Sequence, residues 1–274
     1  MLIKKAIEED IGEGDHTTLS IIDANAIGIA RLIIKDEGIL AGVQVAKKIF
    51  SFIDNGLIIN TFIDDGEKVR YGDIAFKVTG KARSILMAER LVLNIMQRMS
   101  GIATQTAKYV EAIKGTKAKI LDTRKTTPCN RIIEKEAVRI GGGYNHRMGL
   151  YDMILIKDNH IDFAGGIKNA LQKVHNYLKN KALKLKIEIE VRNLQELQEV
   201  LKIGGVNRIL LDNFTIKDTY EAVSMVNGKY ELESSGGITL ENVREYALTG
   251  VDYISVGALT HQIKSLDMSL KSEI

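Results

Sequence analysis

Apolar and polar residues follow two different patterns along the 274-residue chain, and the change falls near residue 100. Residues 27–42 and 56–80 hold short apolar runs separated by Asp-Gly and Gly-Asp pairs, which are typical of turns between strands. Residues 45–54 place apolar side chains at helical spacing and predict a helix that crosses this sheet. Residues 84–114 also have helical spacing and are predicted to join two domains, with Gly101 dividing them into two helices.

Beyond this segment the pattern becomes strand, loop and helix, repeated. Such repeats predict parallel strands with right-handed crossovers, and their number favours a closed barrel over an open sheet. The last helix is predicted to begin at Thr239 and to end at Gly250, since both are suitable capping residues. The candidate strands are 118–121, 152–156, 185–191, 207–211, 230–234 and 252–256, and the clearest helices are 193–204, 215–226 and 239–250.

Composition and charge exclude several classes of protein. The net charge of +3 and the absence of Trp argue against a nucleic-acid partner, because neither a basic patch nor stacking platforms are evident. No apolar run approaches the ~18 residues that would span a bilayer, so no membrane association is expected. The single cysteine, Cys129, allows no disulfide within the chain, which suits a cytoplasmic location. We favour a small buried or loop role for Cys129 over a nucleophilic one.

Polar residues follow the predicted strands of the second part at the point where each strand ends. In a barrel these ends converge on one face, so the side chains are predicted to share one mouth. Solvated loops would explain any single case, but they explain less well why cations, acids and glycine turns fall in separate sectors. The residues are Asp122, Thr123, Arg124, Lys125, Lys157, Glu188, Glu190, Asp212, Asn213, Ser235, Gly236, Gly237 and Gly257.

Two glycine turns, in residues 233–239 and 254–259, predict a phosphate site, because a Ser-Gly-Gly turn that opens a helix exposes backbone N–H groups. The alternative is that these glycines only allow the chain to turn and bind no ligand. Glu190 and Asp212, from neighbouring strands, could hold Mg²⁺, bind ribose hydroxyls, stabilise positive charge, or be solvated acids. Glu188 has the same strand parity as Glu190, so spacing does not decide between them. No His/Cys cluster suits zinc.

Cations come from two loops. Arg124 offers a planar fork suited to a carboxylate and Lys125 a point charge, while the only proline stiffens the end of their loop. The loop at residues 141–150 brings His146 and Arg147. Because this loop precedes a strand, simple topology places it at the wrong face unless it folds over or begins the strand early.

Several long motifs occur in the order found in one enzyme family. They are "EDIGEGDHTT", "AERLVLNIMQRMSGIAT", "LDTRKTTPCNRIIEKEAVRIGGGYNHRMGLYDMILIKDNHI", "IEIEV", "ILLDNF", "ELESSGGI" and "YISVGAL". Over essentially its whole length the chain resembles the quinolinate phosphoribosyltransferases, or carboxylating nicotinate-nucleotide pyrophosphorylases. The resemblance implies an α/β fold with an N-terminal α/β sandwich, residues 1–105, and an incomplete TIM-like α/β barrel, residues 106–274. Cys129 departs from the family, which often has Gly or another small residue there.

The resemblance also implies roles for individual residues. A basic cluster would bind quinolinate, with Arg98 reaching the active site of the other subunit of a homodimer. Lys125, Glu190 and Asp212 would be catalytic, and the two acids would lie near the ribose and Mg²⁺ of 5-phosphoribosyl-1-diphosphate. The basic quinolinate cluster comprises Arg98, Arg124, Lys125, His146, Arg147 and Lys157, and Thr123 is a further substrate-binding residue. The 5′-phosphate site comprises Ser235, Gly236, Gly237, Ser255, Gly257 and Ala258.

The activity implied is phosphoribosyl transfer to quinolinate with loss of CO2, in NAD biosynthesis. Assembly beyond the dimer is left open. A paralogue with the same fold, either molybdenum-transport-associated or specific for nicotinate, is the nearer alternative. A non-catalytic phosphosugar-binding protein is the more distant one, and it leaves the carboxylates of the mouth without a use.

Overall fold

The computed structural model describes residues 2–273 and divides them into two compact units. The first holds the residues up to Ala107, Thr126–Gly142 and those from Leu259 onward, and the second holds Lys108–Lys125 and Gly143–Ala258. Among the described residues, no helix combines the length and apolar character that a membrane crossing requires.

The helices and strands are numbered along the chain. The helices are α1 (Leu2–Ile11), α2 (His16–Ile21), α3 (Val43–Ile53), α4 (Ala82–Ala112), α5 (Arg131–Ile140), α6 (Asp158–Ala164), α7 (Ile167–Asn180), α8 (Leu194–Ile203), α9 (Ile216–Val226), α10 (Val243–Leu248) and α11 (Ala258–His261). The strands are β1 (Ile27–Ile34), β2 (Gly38–Ile39), β3 (Ile58–Thr61), β4 (Lys68–Val69), β5 (Ile74–Lys81), β6 (Lys119–Leu121), β7 (Ile154–Ile156), β8 (Ile187–Val191), β9 (Arg208–Asp212), β10 (Glu231–Ser235), β11 (Tyr253–Ser255) and β12 (Met268–Glu273).

The first unit contains an antiparallel sheet of order β12-β1-β5-β3. Alternate residues of β1, such as Leu32 and Ile34, are buried, as expected for a sheet with one covered face. Phe50 of α3 meets Phe76 of β5 edge to face, with ring centroids 6.0 Å apart. The predicted sheet and its covering helix at 45–54 are therefore confirmed.

The prediction of a helix break at Gly101 is wrong, because α4 runs without interruption through this residue. The glycine has a different purpose. A Cβ added there would lie 2.4 Å from the Lys264 carbonyl oxygen, so the absent side chain lets the 264–265 backbone approach the helix. Sequence alone does not distinguish a glycine that ends a helix from one that allows close packing.

The second unit is built on a parallel sheet of order β6-β11-β10-β9-β8-β7. All six predicted strands are present, within about two residues of their predicted ends. All five residues of β8 are buried, as is typical of a parallel strand covered on both faces. Within residues 2–273 the pairing runs from β6 to β7 without joining these two strands, so the sheet is an incomplete barrel and not a closed one.

The last predicted helix begins later than its capping pattern indicated. Thr239 does not cap it, because the Asn242 side chain accepts a hydrogen bond from the Thr239 N–H and donates one to the Gly237 carbonyl. These bonds close a turn, and α10 starts only at Val243. Gly250 follows the end of the helix with a φ of +95°, as predicted for a C-terminal glycine.

Candidate active site

The carboxyl ends of β8, β9 and β10 bring the predicted acids beside the predicted phosphate turn. In the register of the sheet Glu190 lies beside Leu210, and Asp212 lies beside Ser235. Asp212 accepts a hydrogen bond from the Asn213 amide at 2.9 Å. The two acids expected to share a site are therefore carried by adjacent strands that end at one edge.

The turn at Gly236 depends on close backbone approach. Its φ is +88°, and an added Cβ would lie 2.3 Å from Asn213 Oδ1. The Asn213 N–H in turn donates to the Ser235 carbonyl at 2.9 Å. Because α10 begins six residues after Gly237, the donors available to an anion here are backbone N–H groups of the turn, and not those of a helix N-terminus.

The loop at residues 141–150 reaches this face because it runs alongside the end of β6. Tyr144 forms a parallel bridge with Leu121 at the end of β6. The His146 N–H then donates to Asp122 Oδ1 at 2.9 Å. The early start of the strand is not observed, because β7 begins only at Ile154. The loop instead runs beside the end of β6, and in this way it brings His146 to the carboxyl edge of the sheet.

The His146 ring is engaged on both sides. Nδ1 accepts a hydrogen bond from the Arg147 N–H at 2.7 Å, which places the ring proton on Nε2. Nε2 lies 2.9 Å from a Glu188 carboxylate oxygen and 3.5 Å from one of Glu233. The side chain is only 7% exposed. His146 therefore contacts the interior acids, and not solvent.

Glu233 and Arg208 form a buried charged pair beneath the mouth that the sequence analysis missed. Arg208 Nη1 donates to Glu233 at 2.9 Å. Burial, followed by the nearby Glu188 carboxylate, raises the pKa of Glu233 from 4.5 to about 7. Burial also raises the pKa of Glu188. The sequence did contain a signal for Glu233. It lies in the middle of a predicted buried strand, where a glutamate side chain cannot reach solvent.

The donor atoms of His146, Glu188 and Glu233 lie within 4.8 Å of one another, a set that a divalent metal could use. The Arg208 guanidinium already supplies positive charge to this cluster, which lowers its attraction for a cation. The cluster is a His/Glu group, and so differs from the His/Cys type considered from sequence.

Lys157, directly after β7, and Glu190, near the end of β8, form an ion pair that joins Lys157 Nζ to Glu190 Oε2. The Lys157 backbone N–H donates to His160 Nδ1 at 2.9 Å, which fixes the start of α6. Glu190 is 6% exposed at its side chain and Lys157 47%, so the pair has one buried and one open end. The structure thus separates Glu190 from Glu188 by their partners.

Arg124 and Arg147 are near enough for their positive charges to act on one another. The pKa of Arg147 is lowered by burial and then by the positive charge of Arg124. Arg124 and Lys125 are exposed, and the Lys125 N–H donates to Thr123 Oγ1 at 3.0 Å. A bound anion would relieve the repulsion between these two guanidinium groups.

Arg98 belongs to the first unit and has its own set of partners there. Its Nε donates to Glu134 at 2.8 Å, and its Nη2 donates to Thr127 Oγ1 at 2.8 Å and to the Thr260 carbonyl at 3.0 Å. Its predicted reach into another subunit stays a prediction. So do the ligand contacts of Ser255, Gly257 and Ala258, which lie at and after the end of β11.

Two family models match consecutive parts of the chain. The N-terminal domain of quinolinate phosphoribosyl transferase matches residues 15–100, and the C-terminal domain matches residues 102–271. Among curated relatives, quinolinate phosphoribosyltransferase [decarboxylating] 1b of Nicotiana tabacum is 46% identical over 98% of this chain and 81% of its own. A probable nicotinate-nucleotide pyrophosphorylase [carboxylating] of Bacillus subtilis is 42% identical over 96% and 89%.

Solved structures are similar over the same length. NadC from Streptococcus pyogenes has a TM-score of 0.93 and 38% identity, over 98% of this chain and 94% of that one. The nicotinate-nucleotide pyrophosphorylase of Francisella tularensis has a TM-score of 0.89 and 40% identity, over 99% and 95%. Human nicotinic acid phosphoribosyltransferase, at 10% identity and a TM-score of 0.67, is similar in fold alone.

Proposed function

This chain belongs to the quinolinate phosphoribosyltransferase family, and we propose that the mouth of its second unit performs the family's reaction. That reaction transfers phosphoribosyl from 5-phosphoribosyl-1-diphosphate to the quinolinate nitrogen, with loss of CO2 and diphosphate. The observation that supports the assignment of the site is the ion pair of Lys157 with Glu190 beside the strand that ends in Asp212, because it joins a predicted cation to a predicted acid at one edge of the sheet.

Quinolinate is a dianion, and a buried dianion requires paired cations. Arg147 supports this assignment, because its lowered pKa reflects burial and the charge of Arg124, which a bound carboxylate would offset. Arg124 supplies a fork for one carboxylate, and Lys125 a point charge for the reacting one. Lys157 is the fourth cation for quinolinate, since its side chain is half-exposed although it pairs with Glu190. His146, with its ring turned to the interior acids, holds the loop that carries Arg147.

The phosphoribosyl donor would lie over the neighbouring strands. The turn at 235–237 and residues Ser255, Gly257 and Ala258 would receive its 5′-phosphate through backbone N–H groups. Asp212 fits a magnesium ion, since its carboxylate is partly exposed and ends a strand beside that turn. Mg²⁺ held by Asp212, with Glu190 nearby, would neutralise charge on the departing diphosphate.

The chain's own residues supply position and charge. Glu190 and Asp212 place negative charge where the ribose develops oxocarbenium character, as the bond from C1 to diphosphate breaks and the bond to nitrogen forms. The cations aim the quinolinate nitrogen at C1. Once alkylated, the ring is an electron sink. The C2–carboxylate bond then breaks, CO2 leaves, and the electron pair left on C2 takes a proton from solvent.

A homodimer with Arg98 entering the neighbouring active site is part of the proposal. Mixing Arg98→Ala with Glu190→Ala chains tests this, because each chain supplies what the other lacks. Activity recovered in the mixture is expected, and an inactive mixture would count against a shared site. Assembly beyond the dimer and a cytoplasmic location stay predictions.

The decisive experiment combines protein, quinolinate, phosphoribosyl diphosphate and Mg²⁺, and measures CO2 and nicotinate mononucleotide, with nicotinic acid as a parallel substrate. Equal amounts of both products from quinolinate alone are expected, together with loss of turnover in EDTA and its return with Mg²⁺. Product from nicotinic acid only would favour the nicotinate-specific paralogue. Binding without turnover would favour a phosphosugar-binding protein.

A further inference from the structure

Glu134 is a carboxylate of α5 with no exposed surface, and both of its oxygens are used. Oε1 accepts from Arg98 Nε at 2.8 Å, and Oε2 accepts from the Thr127 N–H at 3.1 Å. A buried carboxylate is stable only when it is paired and hydrogen-bonded, so this arrangement fixes its two donors as firmly as they fix it. The second donor lies two residues after Lys125 in the cationic loop.

The three hydrogen bonds of Arg98 hold one side of its guanidinium. They use Nε and Nη2, with acceptors on Glu134, Thr127 and Thr260. Within residues 2–273, the two N–H groups of Nη1 form no hydrogen bond, and the side chain is 29% exposed. A guanidinium held in this way is a rigid donor with one nitrogen left for a ligand carboxylate.

We infer that Glu134 is a positioning residue for quinolinate binding, which fixes the Arg98 guanidinium so that Nη1 is presented to a substrate carboxylate. This inference rests on the proposed function, in which Arg98 binds quinolinate. Pre-ordering removes the cost of immobilising a flexible side chain when the substrate arrives, so its loss weakens binding of quinolinate and not of phosphoribosyl diphosphate.

A purely structural role for Glu134 has different consequences. If the carboxylate only tied α4 to α5, its removal would lower stability and reduce the affinity for both substrates alike. A positioning role acts through Arg98 alone. The two roles are therefore separated by the substrate whose KM changes, and by whether the effect survives when Arg98 is absent.

The test is Glu134→Gln, which keeps the shape but leaves one of the two donors facing an amide NH2. Glu136→Gln is the matched control, because Glu136 lies two residues further along α5, where it is half-exposed and pairs with Arg139 on the same helix. Glu134→Gln is expected to raise the KM and Kd of quinolinate about tenfold. The KM of phosphoribosyl diphosphate is expected to stay within about twofold, and the control to match wild type.

A double-variant cycle then asks whether Glu134 acts through Arg98. Starting from Arg98→Ala, the further change Glu134→Gln is expected to leave kcat/KM for quinolinate unchanged. The inference would be overturned if Glu134→Gln lowered kcat/KM by the same factor with and without Arg98. Equal rises in the KM of quinolinate and of phosphoribosyl diphosphate would also overturn it. Wild-type protein that makes no nicotinate mononucleotide would instead contradict the proposed function.

Thr127→Val keeps the inference testable should Glu134→Gln fail to fold. It removes the Thr127 hydroxyl that accepts a hydrogen bond from Arg98 Nη2. The hydrogen bond from the Thr127 backbone N–H to Glu134 stays in place. A rise of about threefold in the quinolinate KM is expected, again without change for phosphoribosyl diphosphate. An unchanged quinolinate KM in this variant would contradict the positioning of Arg98 by its neighbours.

Discussion

Glu188 and Glu190 lie two residues apart on β8 and point to the same side of the sheet, yet their carboxylates meet different partners. Glu190 pairs with Lys157, which is half-exposed at the open end of the strands. Glu188 lies one layer deeper, 2.9 Å from His146 Nε2 and without exposed surface. The two acids that spacing could not separate therefore differ in depth, and Glu190 is the outer one.

Replacing these acids one at a time is the first prediction. Glu190→Gln is expected to lower kcat by about 100-fold or more, because it removes charge aimed at the developing oxocarbenium ion. Glu188→Gln removes an equal charge from the deeper layer and is expected to lower kcat less than about tenfold. Steady-state kinetics with quinolinate checks both. A larger loss for Glu188→Gln would reverse the assignment.

The second prediction concerns the geometry of Arg124. Arg124→Lys keeps the charge but loses the planar fork, so the KM of quinolinate is expected to rise about tenfold. The KM of phosphoribosyl diphosphate is expected to change little. Arg139→Lys, at an exposed position paired with Glu136 on α5, is the control. Unchanged quinolinate binding by Arg124→Lys would count against a bidentate contact.

The third prediction is a pH dependence of stability from Glu233. Its pKa is about 7 when folded and near 4.5 when unfolded, so between these values the folded chain binds more protons than the unfolded one. The free energy of unfolding therefore falls as pH rises through this window, by up to about 3 kcal/mol from this group. Below pH 4.5 Glu233 is protonated in both the folded and the unfolded state, so it no longer makes the free energy of unfolding depend on pH.

Urea denaturation at several pH values measures this slope. Glu233→Gln is expected to flatten it between pH 5 and 7, because the amide does not titrate. Glu231→Gln, on the same strand but partly exposed, also loses a contact with Arg208 and is expected to keep the slope. Equal slopes in wild type and Glu233→Gln would show that other groups cause the pH dependence.

The fourth prediction concerns Cys129, which has a φ of +66° in an exposed turn. This left-handed conformation strains a side chain that carries a Cβ but not glycine. Cys129→Gly is expected to raise the free energy of unfolding by about 0.5–1 kcal/mol, after the added flexibility of the unfolded chain is subtracted. Cys129→Ala keeps the strain and is expected to match wild type in the same denaturation experiment.

The strands of the second unit were predictable from the sequence because each is a short buried run that ends in polar residues. The same reasoning predicted that Glu190, Asp212 and the turn at Ser235 would meet, since parallel strands end at one edge. It failed at Gly101 and Thr239, where a distant backbone or a local side-chain bond decides the outcome. Such contacts leave no periodic signal.

The interior of the site was less predictable for a similar reason. Nothing in the spacing of His146 indicates that its ring turns toward Glu188 and Glu233, because this follows from three segments that are distant in the sequence. Glu134 was equally hidden. It reads as one of several charges on an amphipathic helix, and only its complete burial against Arg98 distinguishes it from the exposed Glu136.

Both sheets pair an early strand with a strand that is synthesised late. β6, the first strand of the barrel, pairs with β11, and β1 of the antiparallel sheet pairs with β12, where Leu32 meets Leu270. Neither sheet can be completed until almost all of the 274 residues have left the ribosome. Until these late strands are synthesised, β1 and β6 each lack one neighbour, and an unpaired strand edge is a site at which chains aggregate.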